Sequence, residues 1–155
     1  MKQKIFLLII SLLLCNFAKA QEMEKLYLFV INKHYKDLLK KGYLSEQDTL
    51  YLECGTCYCK NECFYNIKLN NSKIKFATPE INETNQSGVV YSLFPPEIEK
   101  QFLKIYVGCF SVYISKNDRL IEDGVLLFER SGTTEYIFQY DTEKLKYVFK
   151  SKKEY

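Results

Sequence analysis

The sequence predicts an α+β domain, with an N-terminal amphipathic helix packed on a curved antiparallel sheet of four to six strands. Three observations carry this. Between Glu22 and Lys41, apolar residues recur at three- and four-residue steps, the period of one helix face. From Thr49 onward, runs rich in β-branched and aromatic residues alternate with turn residues, and the chain holds 13 Tyr and 11 Phe, a composition that favours strands. The order, helix first and strands after, belongs to an α+β domain rather than to repeated βαβ units.

Residues 1–20 read as a signal peptide rather than as part of this fold. Lys2 and Lys4 precede an apolar run from Ile5 to Leu14 broken only by Ser11, and Ala18-Lys19-Ala20 gives the small–x–small cleavage pattern ahead of Gln21. The run is about half of the roughly 20 apolar residues that a membrane span needs. Cleavage after Ala20 predicts an exported protein, periplasmic or secreted, with a single domain over residues 21–155. The alternative is lipid anchoring at Cys15, against which the bulky Leu14 argues; a membrane partner is expected only in that case. Loss of Lys2, Lys4 and Lys19 from the 22 basic residues leaves them equal in number to the 19 acidic ones. A neutral chain lacks the basic excess of nucleic-acid binders, so no nucleic-acid partner is expected.

In the helix, Met23, Leu26, Tyr27, Val30, Ile31, His34, Tyr35 and Leu38 form the stripe, with Lys25, Asn32, Lys33, Lys36, Asp37 and Lys40 mainly opposite. Glu22 and Glu24 in the first turn and Lys40-Lys41 in the last suit the helix dipole, and Gly42 is placed to cap. Strands follow at Thr49–Glu53 and Phe64–Leu69, with a further extended piece at Lys73–Ala77. Residues 78–88 are a polar loop carrying glycosylation-type triplets at Asn82 and Asn85, with a third at Asn70. Val89–Phe94 is an apolar run closed by Pro95-Pro96, and Glu97–Gln101 is suited to one helical turn after a proline. Phe102–Ser115 is the longest strand, apolar on both faces. Turn signals at Asn117-Asp118, Asp123-Gly124, Ser131-Gly132-Thr133 and Asp141-Thr142-Glu143 separate Val125–Arg130, Glu135–Tyr140 and Leu145–Lys150, an antiparallel meander. This layout resembles that of the cystatin-like and NTF2-like groups, in which a curved sheet cradles a long helix; the likeness is of layout alone and carries no function. A two-sheet β-sandwich with an appended helix is the alternative.

The least ordinary stretch is Cys54-Gly55-Thr56-Cys57-Tyr58-Cys59-Lys60-Asn61-Glu62-Cys63. With Cys109, five cysteines remain after the leader, and export makes disulfides the default. Cys54, Cys57, Cys59, Cys63 and Cys109 are all candidates: Cys54–Cys63 would close the loop, and a bridge from Cys57 or Cys59 to Cys109 would tie it to the long strand. One thiol must be left over. A zinc site of Cys54, Cys57, Cys59 and Cys63 is the metal alternative, but intervals of two, one and three residues do not make the two separated Cys-x-x-Cys knuckles of such sites. Cys54-Gly55-Thr56-Cys57 also matches a redox Cys-x-x-Cys, without the helix that should follow it. An iron–sulfur cluster fits poorly with secretion in an unfolded state.

No catalytic set emerges. His34, the only histidine, lies on the apolar stripe, where a satisfied buried side chain is expected; nothing in the sequence supports a nucleophilic pair with Cys109 or a cluster thiol. Asp118, Glu122 and Asp123 gather at a turn, where solvated acids compete with a glycosidase-type pair. No nucleophile elbow, phosphate-cradling glycine loop or metal-binding His-Glu-x-x-His helix is present, and no cofactor is expected. Tyr136, Phe138 and Tyr140 with Leu145, Tyr147 and Phe149 read as core, leaving room for a pocket at the open end. The sequence thus predicts a small exported, non-enzymatic binding or interaction module, braced by disulfides, whose partner is an unknown protein or small ligand contacted through the cysteine loop and residues 78–88. A thiol-redox or zinc-binding protein using Cys54–Cys63 is the alternative.

Overall fold

The computed structural model describes the backbone of residues 2–54, 67–76, 87–115 and 125–155, and their side chains apart from those of residues 2–21, 54, 114–115 and 125–128. The helix α1 runs from Lys2 to Lys41, so the helix expected from Glu22 begins some twenty residues earlier. No helix is long and apolar enough to cross a membrane among the described residues. Leu26, Tyr27, Val30, Ile31, His34, Tyr35 and Leu38 are buried, as the stripe predicts. Gly42 ends the helix at φ 73°; its N–H donates to Leu39 O at 3.1 Å and that of Tyr43 to Leu38 O at 3.0 Å, a Schellman cap that requires a left-handed residue.

Seven strands follow: β1 (Leu50–Cys54), β2 (Ile74–Phe76), β3 (Ser87–Leu93), β4 (Glu97–Glu99), β5 (Phe102–Ser115), β6 (Val125–Asp141) and β7 (Lys146–Glu154). They form one sheet in the order β2-β1-β3-β5-β6-β7, with β4 paired to β5. The α+β class therefore holds, with one helix and a mixed sheet. Two details of the expectation change. Among the described residues the sheet has seven strands rather than four to six, and β1 pairs in parallel with both β2 and β3, whereas every strand was expected to be antiparallel. The described strands belong to one sheet, not to two stacked sheets.

Local readings shift for identifiable reasons. Glu97–Glu99 forms β4, not a helical turn: it pairs with Lys104, Leu103 and Phe102, and Lys100 at φ 56° makes the tight hairpin. The long β5 offers ladder partners that outweigh one isolated helical turn. Ser131-Gly132-Thr133 is not a turn between two strands but lies within continuous β6. Cys109 faces Gly132 and Phe110 faces Arg130, so Ser131 is the extra residue of a β-bulge. Leu145, expected in a strand, sits in the β6–β7 turn at φ 51°, where Asp141 Oδ1 accepts from the N–H groups of Glu143 (3.1 Å) and Lys144 (3.0 Å). Residues 67–69 are not strand, and Phe64 lies outside the described residues.

One face of the sheet packs on α1. Leu50, Leu52, Ile74, Tyr91, Leu93, Leu103, Ile105, Val107, Tyr136 and Phe138 join the helix stripe in a single core. Each large buried aliphatic or aromatic side chain contributes about 1.5–3 kcal/mol by leaving water, which holds the helix on the sheet. The other face buries Val90 and Val112. Its Gly108 lies so close to the Phe94 and Phe110 rings that an added Cβ would sit 2.8 Å from each.

Candidate functional site

The last two turns of α1 present His34, Asp37, Leu38 and Lys41 over the centre of the sheet. Tyr91 of β3 and Val107 and Cys109 of β5 form the floor, the β6 bulge forms one wall, and Glu154 and Tyr155 close the end. Together they line a cavity of about 350 Å³. The bulge matters because it lifts Ser131 out of the ladder, and the Ser131 hydroxyl then donates to Cys109 O at 3.2 Å and lies 3.3 Å from Cys109 Sγ.

His34 is 6% exposed, and its Nδ1 is 2.8 Å from the Tyr136 hydroxyl. Nδ1 is the only acceptor available to that hydroxyl among the described residues, so the hydrogen-bond economy assigns Tyr136 O–H as donor and places the imidazole proton on Nε2. Nε2 is buried and has no hydrogen-bond partner among the described residues. Burial lowers the imidazole from 6.5 to about 4 despite the opposing charge of Asp37, so the ring is neutral near pH 7. Tyr91 stands edge-on to it, with 5.0 Å between ring centroids and 69° between planes.

Cys109 is a free, half-buried thiol directly across the ladder from Tyr91. Burial, and then the neighbouring thiol, push the Tyr91 phenol well above its ordinary value. His34 and Cys109, which sequence reasoning had no cause to link, thus line one cavity, with Tyr91 beside both. The imidazole edge that a catalytic dyad would aim at the sulfur is not engaged with it; this is a recess with a thiol in it rather than an assembled nucleophile–base pair.

Charges surround the mouth. In β7, Ile137 faces Ser151 while Phe138 faces Phe149, which leaves Lys150 as the extra residue of a second bulge. Lys152 beyond it reaches Asp37 Oδ2 at 2.7 Å and Glu154 Oε1 at 3.0 Å, and Lys41 pairs with Glu154 Oε2. Hydrogen bonds from Lys41 and Lys152 hold the Glu154 carboxyl down at about 2.

On the opposite face, Glu135 is buried at 4% exposure. It accepts from Tyr155 (2.8 Å) and Tyr106 (3.3 Å), with Lys104 Nζ 3.8 Å away. Beside it lies a depression of about 470 Å³ lined by Tyr106, Arg130, Ser131, Gly132, Thr133 and Tyr155. The Arg130 guanidinium there is 6.0 Å from the Phe94 ring centre, and its Nε donates to Thr133 Oγ1 at 2.9 Å. Every buried polar group in this cluster is satisfied, so it is the weaker candidate.

Of the residues singled out by sequence, Cys57, Cys59, Cys63, Asn82, Asn85, Asp118, Glu122 and Asp123 lie outside the described residues, as does the Cys15 side chain. Cys54 ends β1 opposite Leu93. Since Leu93 faces Val107, Cys54 and Cys109 stand two strands and two residues apart. That is about 12 Å between Cα atoms from ladder spacings, too far for a disulfide, which needs less than about 7 Å. No group of three potential metal ligands occurs among the described residues. Tyr136 and Phe138 are core, Tyr147 and Phe149 pack against it, and Leu145 is exposed; none of them lines the His34 cavity, to which β6 contributes Ser131 to Thr134 from its middle. Tyr91, Ser131, Lys41 and Glu154 were missed, because their convergence depends on strand register.

No protein-family model matches this chain, and neither curated proteins nor solved structures gave a significant match.

Proposed function

We propose that the chain is an exported, non-enzymatic binding module that takes a small ligand in the cavity between the end of α1 and β3, β5 and β6. One observation carries this reading: a buried imidazole nitrogen without a partner, on a residue that lines a cavity of about 350 Å³. A buried donor left unpaired costs about 1–3 kcal/mol, and a ligand that reaches it with an acceptor recovers that energy on binding. The volume falls in the range of small-molecule sites, roughly 300–1,000 Å³. Leu38, Tyr91 and Val107 supply apolar wall, and Ser131 and Thr134 supply hydroxyls. A helix laid across a sheet in the cystatin-like or NTF2-like manner is a layout that leaves such a recess at the open end. Disulfide bracing within Cys54–Cys63 belongs to the same reading, as the means by which an exported module would fix the connection that follows β1.

The test is a fragment screen followed by NMR on the Cys109→Ser chain, which keeps the cavity and removes covalent chemistry. Binders are expected to shift the resonances of Leu38, Val107 and Thr134, and Ser131→Trp, which fills the rim, should weaken them at least tenfold. Shifts confined to other surfaces, unaffected by Ser131→Trp, would overturn the assignment.

A further inference from the structure

We infer that the flank of α1 beside β7 is a docking surface for an anionic phospholipid bilayer. The inference is independent of the His34 cavity, and it gives the chain a membrane partner without a lipid anchor at Cys15.

Lys25, Phe29, Lys33, Lys36 and Lys40 follow one another at steps of four, four, three and four residues. That spacing puts them on one flank of the helix, in a row about 22 Å long. Lys25, Lys36 and Lys40 are exposed and Lys33 is half-buried. Phe29, the apolar member of the row, is 42% exposed, and its ring lies against Phe138 and Phe149. Lys33 Nζ is 5.2 Å from the centre of the Phe149 ring. Next to Phe149, the bulge residue Lys150 is exposed and adds a further cation. None of these lysines has a carboxylate within ion-pair distance among the described residues.

The two acids that border the row are already engaged. Glu22 Oε1 accepts from Tyr147 N at 3.2 Å, and Asp37 Oδ2 holds Lys152 at 2.7 Å. Other acids that make residues 21–155 formally neutral lie far from the row: Glu97, Glu99 and Glu135 gather around Lys104 and Tyr106 on the face of the sheet away from α1. Net neutrality thus hides a separation of charge, which turns the flank towards an anionic surface.

Three features select a bilayer over an acidic peptide. The row holds lysine and no arginine, so it lacks the planar fork that grips single carboxylates, while flexible lysine stems suit a diffuse layer of phosphates. The exposed Phe29 ring adds an apolar contact of the kind made at headgroup depth, beside a depression of about 450 Å³ between Asn32, Lys33, Lys36 and Asp37. The Tyr147 N–H, which β7 would otherwise offer to an added strand, is taken by Glu22.

The test is flotation of the native full-length chain with vesicles of phosphatidylcholine alone, or of equal parts phosphatidylcholine and phosphatidylglycerol. Binding to the neutral vesicles measures what the apolar run Ile5–Leu14 contributes by itself, so the electrostatic share is the excess on anionic vesicles. That excess is expected to reach at least about tenfold, and to vanish at about 1 M salt, where the screening length is about 3 Å. The Lys25→Gln, Lys36→Gln chain should bind anionic vesicles about twentyfold more weakly, roughly fivefold for each charge near the surface. The Lys75→Gln, Lys100→Gln chain has the same net charge but loses exposed lysines of β2 and of the β4–β5 turn, and it should bind within about twofold of the native chain. No excess on anionic vesicles, or an equal loss in both variants, overturns the proposal. Capture on immobilised poly-L-glutamate as tight as on anionic vesicles, with the same dependence on Lys25 and Lys36, would assign the flank to an acidic protein and overturn it too.

Discussion

His34 sits where the helix stripe required an apolar residue, and its neutrality is what makes it tolerable there. Burial brings the folded ring to about 4 from an ordinary 6.5, so the folded state binds fewer protons than the unfolded one. The stability associated with the neutral ring is fully present above pH 6.5 and is lost as pH falls towards 4. Integrated over that shift, the loss is about 2 kcal/mol by pH 5. Urea unfolding of the native chain at pH 8 and pH 5 should show it, and a folded His34→Phe variant should not. A pH-independent unfolding free energy in the native chain would mean that the imidazole is hydrated. Gly108 makes a second prediction at this scale. A methyl group there would sit 2.8 Å from the Cε2 atoms of both Phe94 and Phe110, so Gly108→Ala should cost about 1–3 kcal/mol by displacing packed rings, measured as a lower urea midpoint with an unchanged slope. The sequence placed His34 on the buried face correctly but took it to be satisfied. Its Tyr136 partner is 102 residues away, and no local pattern reveals whether the second nitrogen finds one.

The elements legible in sequence are those whose own periodicity decides them. The α1 stripe and its Gly42 cap were readable because burial at 3.6-residue spacing leaves one face of choices, and Phe102–Ser115 matches β5 to the residue. The bulges were not readable, because a bulge is a relation between two strands: Ser131 looks like a turn until β5 supplies the ladder on its other side. The bulge at Lys150 has the larger electrostatic consequence. It returns Lys152 and Glu154 to the helix side, where they meet Asp37 and Lys41. Glu154 is held at about 2, well below 4.5, chiefly by its hydrogen bond from Lys41 and then by that from Lys152. Its contribution is present above pH 4.5 and is lost as pH falls through about 2, a window below that of His34. The side chain is 44% exposed, and solvent screening limits the contribution to no more than about 1 kcal/mol. Glu154→Gln should therefore lower stability by up to that amount at pH 7 and by only a small fraction of it near pH 2. An equal loss at both values would assign its effect to packing instead of charge.

For the molecule as a whole, the direction of strand pairing was the least legible property. Alternation along β1 says which face is buried but not which way its neighbours run, and reading Phe64–Leu69 as the next strand implied a hairpin. The chain instead travels from Cys54 to Ile74 before returning in parallel, which requires a crossover of a dozen or more residues. The core that results is continuous, and its described members on the helix begin at Leu26, with Met23 packed alongside. The most N-terminal described side chain that ties the helix to the sheet is Glu22, whose Oε1 accepts from Tyr147 N at 3.2 Å. If cleavage after Ala20 produces the working protein, everything that holds the fold must lie on the remaining side of the cut. A chain beginning at Gln21 should therefore melt within about 3 °C of the full-length chain, equivalent to roughly 1 kcal/mol at this size. Its near-ultraviolet circular dichroism should be unchanged while its far-ultraviolet helix signal falls, because the aromatic residues of the described core all lie at or beyond Tyr27. A shorter chain that melts much earlier, or loses its near-ultraviolet spectrum, would show that residues 1–20 are part of the folded domain, and the proposal of export by a cleaved leader would fall with it.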